Sequence, residues 1–206
     1  GWDKGESAPP LLGAFASRPP DSAGKVLVPG CGFGHEAMHL ARLGFEVVAV
    51  DFASAPIADL RMRAAGLSLL ALQCDIFTLP EEYIGYFDLV VEHTCFCAIP
   101  LERRGEYAKT MAGVLGDGGQ LLGLFWELEG EDGPPFNTSP QDLHDNFDPF
   151  FIFDTIEKPD NSFPGRQDEE WLVRMTRRQN AHRAQFKILC RTVPRSVGGQ
   201  GRWFGL

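Results

Sequence analysis

Three glycines stand at every second position directly after an apolar run, in the stretch VLVPGCGFGHEA that begins at Val26. Gly30 and Gly32 fall between a short buried strand and a helix, which is where α/β proteins bring a nucleotide-like ligand against the backbone. A Cβ atom at either position would hold such a ligand away from the chain, and Gly34 would let the helix start close to the strand. A tight strand–helix turn without any ligand would use the same glycines, so this run leaves both interpretations open.

Two acidic residues follow the next two apolar runs. Asp51 ends FEVVAVD, where a carboxylate accepts two hydrogen bonds from the vicinal hydroxyls of a ribose. Asp75 stands in CDIF, where it would lie near an adenine amino group with Ile76 as an apolar edge beside the ring. Taken singly, Asp51 could instead cap a helix, and Asp75 could be an ordinary residue of a strand-end turn. Together with the glycines they fall at the ends of three successive strands, which favours a nucleoside-containing cofactor.

The spacing of the glycines distinguishes between two such cofactors. The pattern here is G-x-G-x-G, whereas the dinucleotide form is G-x-G-x-x-G and brings a pyrophosphate to the helix N-terminus. Glu36 stands in the first turn of the helix and would repel a pyrophosphate. We therefore expect S-adenosylmethionine as cofactor, with S-adenosylhomocysteine as its product, and we rank an NAD-dependent oxidoreductase below this interpretation.

The elements that must position these residues alternate between strands and helices. Continuous apolar runs such as DLVV and FEVVAV are typical of parallel strands, which are covered on both faces. Helices of about ten residues between them indicate βαβ units. Two late runs, FFIFDTIEKP and EEWLVRMTRR, have no helix between them and predict an antiparallel hairpin at the sheet edge. The predicted fold class is α/β: a Rossmann-like, doubly wound, mostly parallel seven-stranded sheet with an antiparallel last strand, as in class I methyltransferases, with the ligand crevice at the carboxyl ends of the strands.

Several boundaries follow from local signals. The first strand is predicted at residues 25–28 and the fourth at residues 87–91. Residues 116–119 contain three glycines and are predicted to end the third long helix before the fifth strand. The Pro-rich and Gly-rich start of the chain is predicted as loop, with one helical turn at residues 11–16.

Composition limits the class of protein. The 206 residues are 44% hydrophobic and 23% charged, which is ordinary for one globular domain. The net charge of −9 argues against a nucleic-acid partner, because phosphate binding needs a basic face. No apolar run approaches the roughly 20 residues that span a bilayer, so we expect no membrane partner. The five cysteines are odd in number and mostly lie in or beside apolar runs, which indicates buried thiols of a cytoplasmic protein and no metal site.

The order of these motifs resembles the thiopurine methyltransferase-like family, and most closely its branch that methylates small thiols and halide ions. The likeness rests on the early WD-x-G, the proline in VLVPGCG, the stretch H-T-x-F-C-A-I and the stretch GPPF. It implies one S-adenosylmethionine-dependent methyltransferase domain over residues 1–178. Residues 1–21 would be a lid-like segment in which Trp2 lies against the methionine part of the cofactor, and residues 179–206 form a C-terminal tail that matches nothing in the family.

The chain also differs from the family. Relatives usually have more residues before the tryptophan–aspartate motif, so part of the lid is expected to be missing or to lie outside this sequence. They often have an aspartate where this chain has Glu92 and a tyrosine where it has His93. These differences limit what the resemblance implies for the acceptor end of the site.

The fourth strand ends at EHTCFCAI, which would face the bound methyl group. Methyl transfer from a sulfonium is an in-line displacement, so the protein mainly positions and desolvates the nucleophile. We predict catalytic roles for His93, Glu92 and Thr94. His93 would be a proton acceptor or a hydrogen-bond partner of a thiolate, and a bond to the cofactor or a loop backbone is an equal alternative. Phe96 is predicted to shape the acceptor pocket, and Arg166 to pair with an anionic acceptor unless it is a solvated loop residue.

The predicted activity is transfer of a methyl group to a small thiol or related soft nucleophile by direct in-line displacement. Alternatives are methylation of a halide, a metalloid, or an oxygen or nitrogen acceptor on the same scaffold, and a non-catalytic protein that binds the cofactor or its product. We expect a small-molecule acceptor and a monomer or weak homo-oligomer. The predicted cofactor contacts are Trp2, Gly30, Cys31, Gly32, Asp51, Phe52, Asp75, Ile76 and Glu92.

Overall fold

Seven strands form one sheet in the order β3-β2-β1-β4-β5-β7-β6. The computed structural model describes residues 3–16, 24–128, 130 and 133–179. The strands from β1 to β5 pair in parallel, whereas β7 runs antiparallel to both of its neighbours, β5 and β6. The predicted mostly parallel sheet with an antiparallel last strand is confirmed, and β7 lies between β5 and the edge strand β6. The strands are β1 (Lys25–Pro29), β2 (Glu46–Asp51), β3 (Leu69–Gln73), β4 (Phe87–His93), β5 (Leu115–Trp126), β6 (Phe151–Glu157) and β7 (Glu170–Arg177).

Helices cover the sheet on both faces because successive side chains of each buried strand point to opposite sides. In β1, Leu27 packs in a cluster with residues of α4 and α5, whereas Val26 and Val28 pack in a second cluster with residues of α1, α2 and α3. The continuous apolar runs of the sequence are thus explained by two hydrophobic layers. The α-helices of the described residues are α1 (Pro9–Phe15), α2 (His35–Arg42), α3 (Ser54–Arg63), α4 (Arg104–Val114) and α5 (Pro140–Phe147).

The sheet places the functional strand ends at one edge. From β1 the chain continues outward through β2 and β3, and it then returns to add β4 on the other side of β1. This reversal of strand order creates the crevice in which open α/β sheets bind their ligands. β1 ends at Pro29 directly before the glycine turn, β2 ends at Asp51 and β4 ends at His93. The first and fourth strands therefore end one and two residues later than predicted.

The predicted end of α4 is wrong in its position. Phe87 of β4 pairs with Leu115, and the pairing resumes with Leu89 opposite Gln120, so residues 116–119 form an irregularity inside β5. A Cβ at Gly119 would lie 3.0 Å from the carbonyl oxygen of Gly116, which shows how tightly the chain folds there. The glycines of residues 116–119 therefore lie in a bulge within β5 and do not form a separate turn between α4 and β5.

Several other expectations concern the surroundings of the fold. Among the described residues, no helix is long and apolar enough to cross a membrane, and no group of three or more His, Cys, Asp or Glu side chains is placed to hold a metal ion. The four described cysteines are free thiols. Trp2 and most of the predicted tail lie outside the described residues, and the division at residue 178 stays a prediction.

Candidate active site

A cavity of about 660 Å³ lies at the carboxyl ends of the strands. This volume falls within the range of small-molecule sites, about 300–1,000 Å³. Its walls come from the glycine turn, the ends of β2 and β3, the segment after β4 and the loop after β5. The sequence-predicted residues that it brings together are Gly30, Gly32, Asp51, Phe52, Asp75, Ile76 and Thr94.

The glycine turn and the end of β2 are joined by hydrogen bonds to one carboxylate. Asp51 accepts the backbone N–H of Gly32 on Oδ2 at 2.8 Å and that of Ala53 on Oδ1 at 2.9 Å. A carboxylate has about four acceptor positions, so two remain for hydroxyl groups of a ligand in the cavity that Asp51 lines. The site therefore fits the ribose of S-adenosylmethionine. Through Ala53, Asp51 also orders the start of α3, so the capping role that the sequence left open is compatible with a ribose contact.

Gly30 is required by the packing of the chain itself. It has a φ of 55°, in the left-handed region that favours glycine. A Cβ at this position would lie 2.6 Å from Sγ and 2.8 Å from Cβ of Cys95, which follows β4. The glycine thus permits the turn after β1 to approach the turn after β4, in addition to lining the cavity. Both reasons that the sequence left open for this glycine, a ligand and a tight turn, therefore apply to Gly30.

Asp75 combines the two roles that the sequence left open. Its Oδ1 accepts the N–H of Phe77 at 3.0 Å and so begins a short 3₁₀ helix, Ile76–Thr78. Asp75, Ile76 and Phe77 also line the cavity. A carboxylate with an apolar neighbour at this point fits an adenine ring. Phe52 lies at the same end of the cavity with 79% of its surface exposed.

Glu92 is fully buried at the end of β4. Its Oε1 accepts the backbone N–H groups of Cys95 and Phe96 at 2.8 and 2.7 Å. Burial raises the pKa of Glu92 to about 7, although the two N–H donors act in the opposite direction. Its side chain does not line the large cavity, so the predicted cofactor and catalytic roles of Glu92 stay predictions. The contacts give it a structural role, in which it holds the turn that presents Thr94, a residue with a φ of 58°.

His93 lies in a second, smaller cavity of about 40 Å³, which shares Gly30, Gly32 and Thr94 with the large one. Its Nδ1 is 2.9 Å from Oε1 of Glu36, and the two side chains are only 10% and 11% exposed. Cys31 lines this smaller cavity as well.

Burial alone would raise the pKa of Glu36. The hydrogen bond and charge of His93, together with the N–H of Ala8, outweigh burial and lower that pKa below its ordinary value. The sequence analysis saw Glu36 only as a group that repels pyrophosphate and missed its contact with His93. In the sequence, the only signal for this contact was that Glu36 is an acidic residue in the first turn of the helix after the glycines.

Phe96 departs from its predicted role as a lining residue. Its side chain is fully buried, and its ring packs against the rings of Tyr107, Phe125 and Phe147. It lines neither cavity, because the turn after β4 directs it into the hydrophobic core. Phe96 therefore supports the site from behind.

Arg166 is 1% exposed and not a solvated loop residue. Its guanidinium pairs with Glu170 at 3.2 Å and stacks over the ring of Trp126 at 4.1 Å. Trp126 lines the large cavity, and Arg166 lies behind it. The predicted ion pair between Arg166 and an anionic acceptor stays a prediction, because the guanidinium of Arg166 already pairs with the carboxylate of Glu170.

The wall of the large cavity also contains residues that the sequence analysis did not predict as lining residues. Two of the three cysteines that line the cavity, Cys95 and Cys97, follow β4, and the third is Cys74 after β3. The remaining wall on this side is apolar and consists of Ala98, Ile99, Pro100, Trp126, Pro134 and Pro135. No periodicity could identify them as a group, because they come from the end of β5, a short 3₁₀ helix and the loops that follow these elements.

Comparison with solved structures identifies the fold. The fold is similar to a TehB-like SAM-dependent methyltransferase from Corynebacterium glutamicum, with a TM-score of 0.65, 17% identity and coverage of 82% of this chain and 86% of that one. It is also similar to 1,6-didemethyltoxoflavin-N1-methyltransferase of Burkholderia thailandensis, solved with S-adenosylhomocysteine, with a TM-score of 0.63, 20% identity and coverage of 83% and 76%. The predicted class I methyltransferase fold is confirmed.

Sequence comparison identifies the family. The Thiopurine S-methyltransferase (TPMT) family model matches residues 1–184. The chain is 30% identical over 181 residues to thiocyanate methyltransferase 1 of Arabidopsis thaliana, covering 84% of this chain and 78% of the relative. It is 25% identical over 178 residues to thiopurine S-methyltransferase of Shewanella amazonensis, covering 78% and 81%. The chain belongs to the TPMT family and is an S-adenosylmethionine-dependent methyltransferase, as the sequence predicted.

Proposed function

We propose that this methyltransferase acts on a small thiol or a related soft anion. The observation that carries the proposal is the charge distribution around the large cavity. Among the described lining residues, the only charged side chains are Asp51 and Asp75, and both lie on the side that fits the cofactor. The opposite side is apolar, so a nucleophile there loses its water. Sulfur nucleophiles are weakly hydrated and tolerate such a site better than oxygen or nitrogen groups that carry strong hydrogen bonds.

The names of the relatives support a sulfur acceptor. They include thiocyanate methyltransferase 1 and a probable thiol methyltransferase 2, both of Arabidopsis thaliana, and several thiopurine S-methyltransferases. The probable thiol methyltransferase is 31% identical over 145 residues, covering 67% of this chain and 62% of the relative. We propose the shared feature, a soft sulfur centre, and leave the acceptor's size to experiment.

The residues that would hold the cofactor are Gly30, Gly32, Asp51, Asp75 and Ile76, which line one side of the cavity. When bound, S-adenosylmethionine supplies a methyl group that its positive sulfur has already activated. The protein then has to hold the acceptor in line, exclude water and handle one proton. Contacts of Cys31, Phe52, Glu92 and Trp2 with the cofactor remain part of this proposal.

His93 and Thr94 would act on the acceptor. Thr94 lines both cavities, and His93 lines the small one beside it. A thiol of ordinary pKa, about 8.5, is only a few per cent ionised at neutral pH. A group that accepts or binds the thiol proton therefore raises the concentration of the reactive thiolate.

A panel of acceptors with labelled methyl donor tests the proposal. The panel contains small thiols, bisulfide, thiocyanate, iodide, a catechol and an amine. We expect turnover of a thiol or bisulfide to its methyl thioether, or of thiocyanate to its methyl ester. Activity on the catechol or the amine alone would contradict the proposal. A His93→Ala variant should lose rate mainly at neutral pH and recover part of it near pH 9, where the thiol ionises unaided.

The assembly and location expected from the sequence also belong to this proposal. We propose a monomer or weak homo-oligomer in the cytoplasm. The free thiols of the described cysteines are compatible with a reducing compartment. Light scattering on the purified chain tests the assembly, and a mass of a stable higher oligomer at micromolar concentration would contradict it.

A further inference from the structure

We infer that Glu36 and His93 form a carboxylate–imidazole pair, in which Glu36 is a positioning residue and Nε2 of His93 is the base that accepts the acceptor's proton. This inference rests on the proposed function and decides between the two roles left open for His93. The partners are 57 residues apart in the sequence, Glu36 in the first turn of α2 and His93 at the end of β4.

The contacts of Glu36 assign the proton on the imidazole ring. Oε1 of Glu36 lies 2.9 Å from Nδ1 of His93 and also accepts the backbone N–H of Ala8 at 3.1 Å. An ionised carboxylate only accepts hydrogen bonds, so Nδ1 carries the hydrogen. In the neutral ring, Nε2 then has the free lone pair.

The free nitrogen of His93 is in the right place for a base. Nε2 is buried and has no hydrogen-bond partner among the described residues. Burying a polar atom without a hydrogen-bond partner costs free energy. An unpaired buried nitrogen therefore indicates that a ligand supplies the missing hydrogen bond. His93 lines the small cavity, and Thr94, Gly30 and Gly32 line both this cavity and the large one. The inference places the proton donor of the acceptor at this common wall, against Nε2 of His93.

The resulting step conserves atoms and charge. The S–H bond of the acceptor breaks, its proton binds Nε2, and its electron pair remains on sulfur. That pair forms the new S–C bond with the methyl group, and the electrons of the broken C–S bond return to the sulfur of the cofactor. The imidazolium is stabilised by the carboxylate of Glu36 and then releases its proton to water.

The pair is also connected with the N-terminal segment. The bond from Ala8 to Glu36 and the contact of Asp3 with Nε2 of His35 at 3.0 Å join residues 3–8 to the start of α2. This segment forms one wall of the small cavity. The other ionisable groups around the pair are Asp3, Lys4 and Glu6 of this segment, Cys31 of the glycine turn, His35 and His39 of α2, and Glu92 of β4.

A Glu36→Gln variant tests the inference. Glutamine keeps an oxygen for Nδ1 and for the N–H of Ala8 but lacks the negative charge. With a thiol acceptor at pH 7 we expect kcat to fall about tenfold or more, with the KM for S-adenosylmethionine unchanged and the deficit smaller near pH 9. The matched control is Asp148→Asn, since Asp148 forms an exposed pair with His144 at 3.2 Å. This control should leave the rate unchanged.

A double-mutant cycle separates the pair from a merely structural contact. If Glu36 acts through His93, then His93→Ala and the double variant have the same kcat. Losses that multiply in the double variant would overturn the inference. Equal affinity of all variants for S-adenosylhomocysteine, measured by calorimetry, shows that they remain folded.

Nitrogen NMR of His93 in the free wild-type protein gives a readout independent of turnover. We expect the hydrogen on Nδ1 and a lone pair on Nε2. A hydrogen on Nε2 in the neutral ring would overturn the pair even in a fully active enzyme. If no thiol or soft anion in the panel is methylated, the proposed function fails, while the NMR spectrum still decides how Glu36 and His93 are bonded.

Discussion

The backbone N–H of Gly32 donates a hydrogen bond to Oδ2 of Asp51 over 2.8 Å. This bond ties the turn after β1 to the end of β2, and the other oxygen of the same carboxylate binds the N–H of Ala53 at the start of α3. One side chain thus fixes three segments of the cavity wall. The carboxylate of Asp51 is therefore already oriented by the backbone before a ligand binds to it.

Asp51→Ala should weaken the binding of S-adenosylhomocysteine at least tenfold. The variant loses charge-assisted hydrogen bonds to the ribose and also releases the two backbone donors. Calorimetric titration measures the effect. Asp59→Ala is the control, because Asp59 pairs with Arg63 on the exposed side of α3. This variant should bind S-adenosylhomocysteine as tightly as the wild type does. Unchanged affinity of the Asp51 variant would contradict the assignment of the ribose site.

Gly30→Ala should destabilise the fold more than Gly118→Ala. Both residues have positive φ, and we expect about 1–2 kcal/mol for placing an alanine in that region. A Cβ at Gly118 meets no atom within 4 Å, whereas at Gly30 it meets Cys95 at 2.6 Å. Overpacking adds about 1–3 kcal/mol at Gly30 alone. Urea unfolding measures both variants, and equal losses would show that the approach to Cys95 relaxes without cost.

Glu92 should make stability fall as pH rises from about 4.5 to about 7. Burial raises its pKa to about 7 in the folded state, so the native protein holds a proton that the unfolded chain has released. The contribution is fully present below the unfolded pKa and is lost as pH rises through the folded one, by up to about 3 kcal/mol. Glu92→Gln removes this dependence. Comparing the free energies of unfolding of both proteins at pH 5 and pH 8 checks it, and a difference independent of pH would refute it.

Arg166→Met should destabilise the protein by about 3–5 kcal/mol, because Glu170 would keep a buried charge without its partner. Both side chains are almost fully buried and pair at 3.2 Å. Changing Glu170 to Gln in the same chain should recover much of the loss. Thermal or urea unfolding of the single and double variants decides the point. A single variant as stable as the wild type would mean that Arg166 is available for an acceptor.

The sequence could predict those site residues whose positions are set by strand ends. Asp51 and Asp75 terminate apolar runs, and in a parallel sheet such ends meet at one edge wherever the helices between them lie. Phe96 could not be placed in this way. It follows Thr94, whose positive φ turns the chain. The direction of this turn decides whether the side chain of Phe96 points into the cavity or into the hydrophobic core. The contact of Glu36 with His93 depends on how α2 is tilted over the sheet, which no local pattern specifies.

The cysteines that line the two cavities could compete with a thiol acceptor for the methyl group of the cofactor. If the acceptor is a thiol, as proposed, the enzyme carries three thiols of its own, Cys74, Cys95 and Cys97, along the wall of the large cavity, and Cys31 along the wall of the small one. Burial raises the pKa of Cys31 and Cys97 to about 12, that of Cys95 well above its usual range and that of Cys74 to a lesser extent. With these pKa values, the buried thiols of Cys31, Cys95 and Cys97 are protonated at neutral pH and are weak nucleophiles, whereas a diffusible thiol brings its thiolate fraction from water. Under the proposed function, the burial of these three sulfur atoms would keep them from competing with the acceptor for the methyl group.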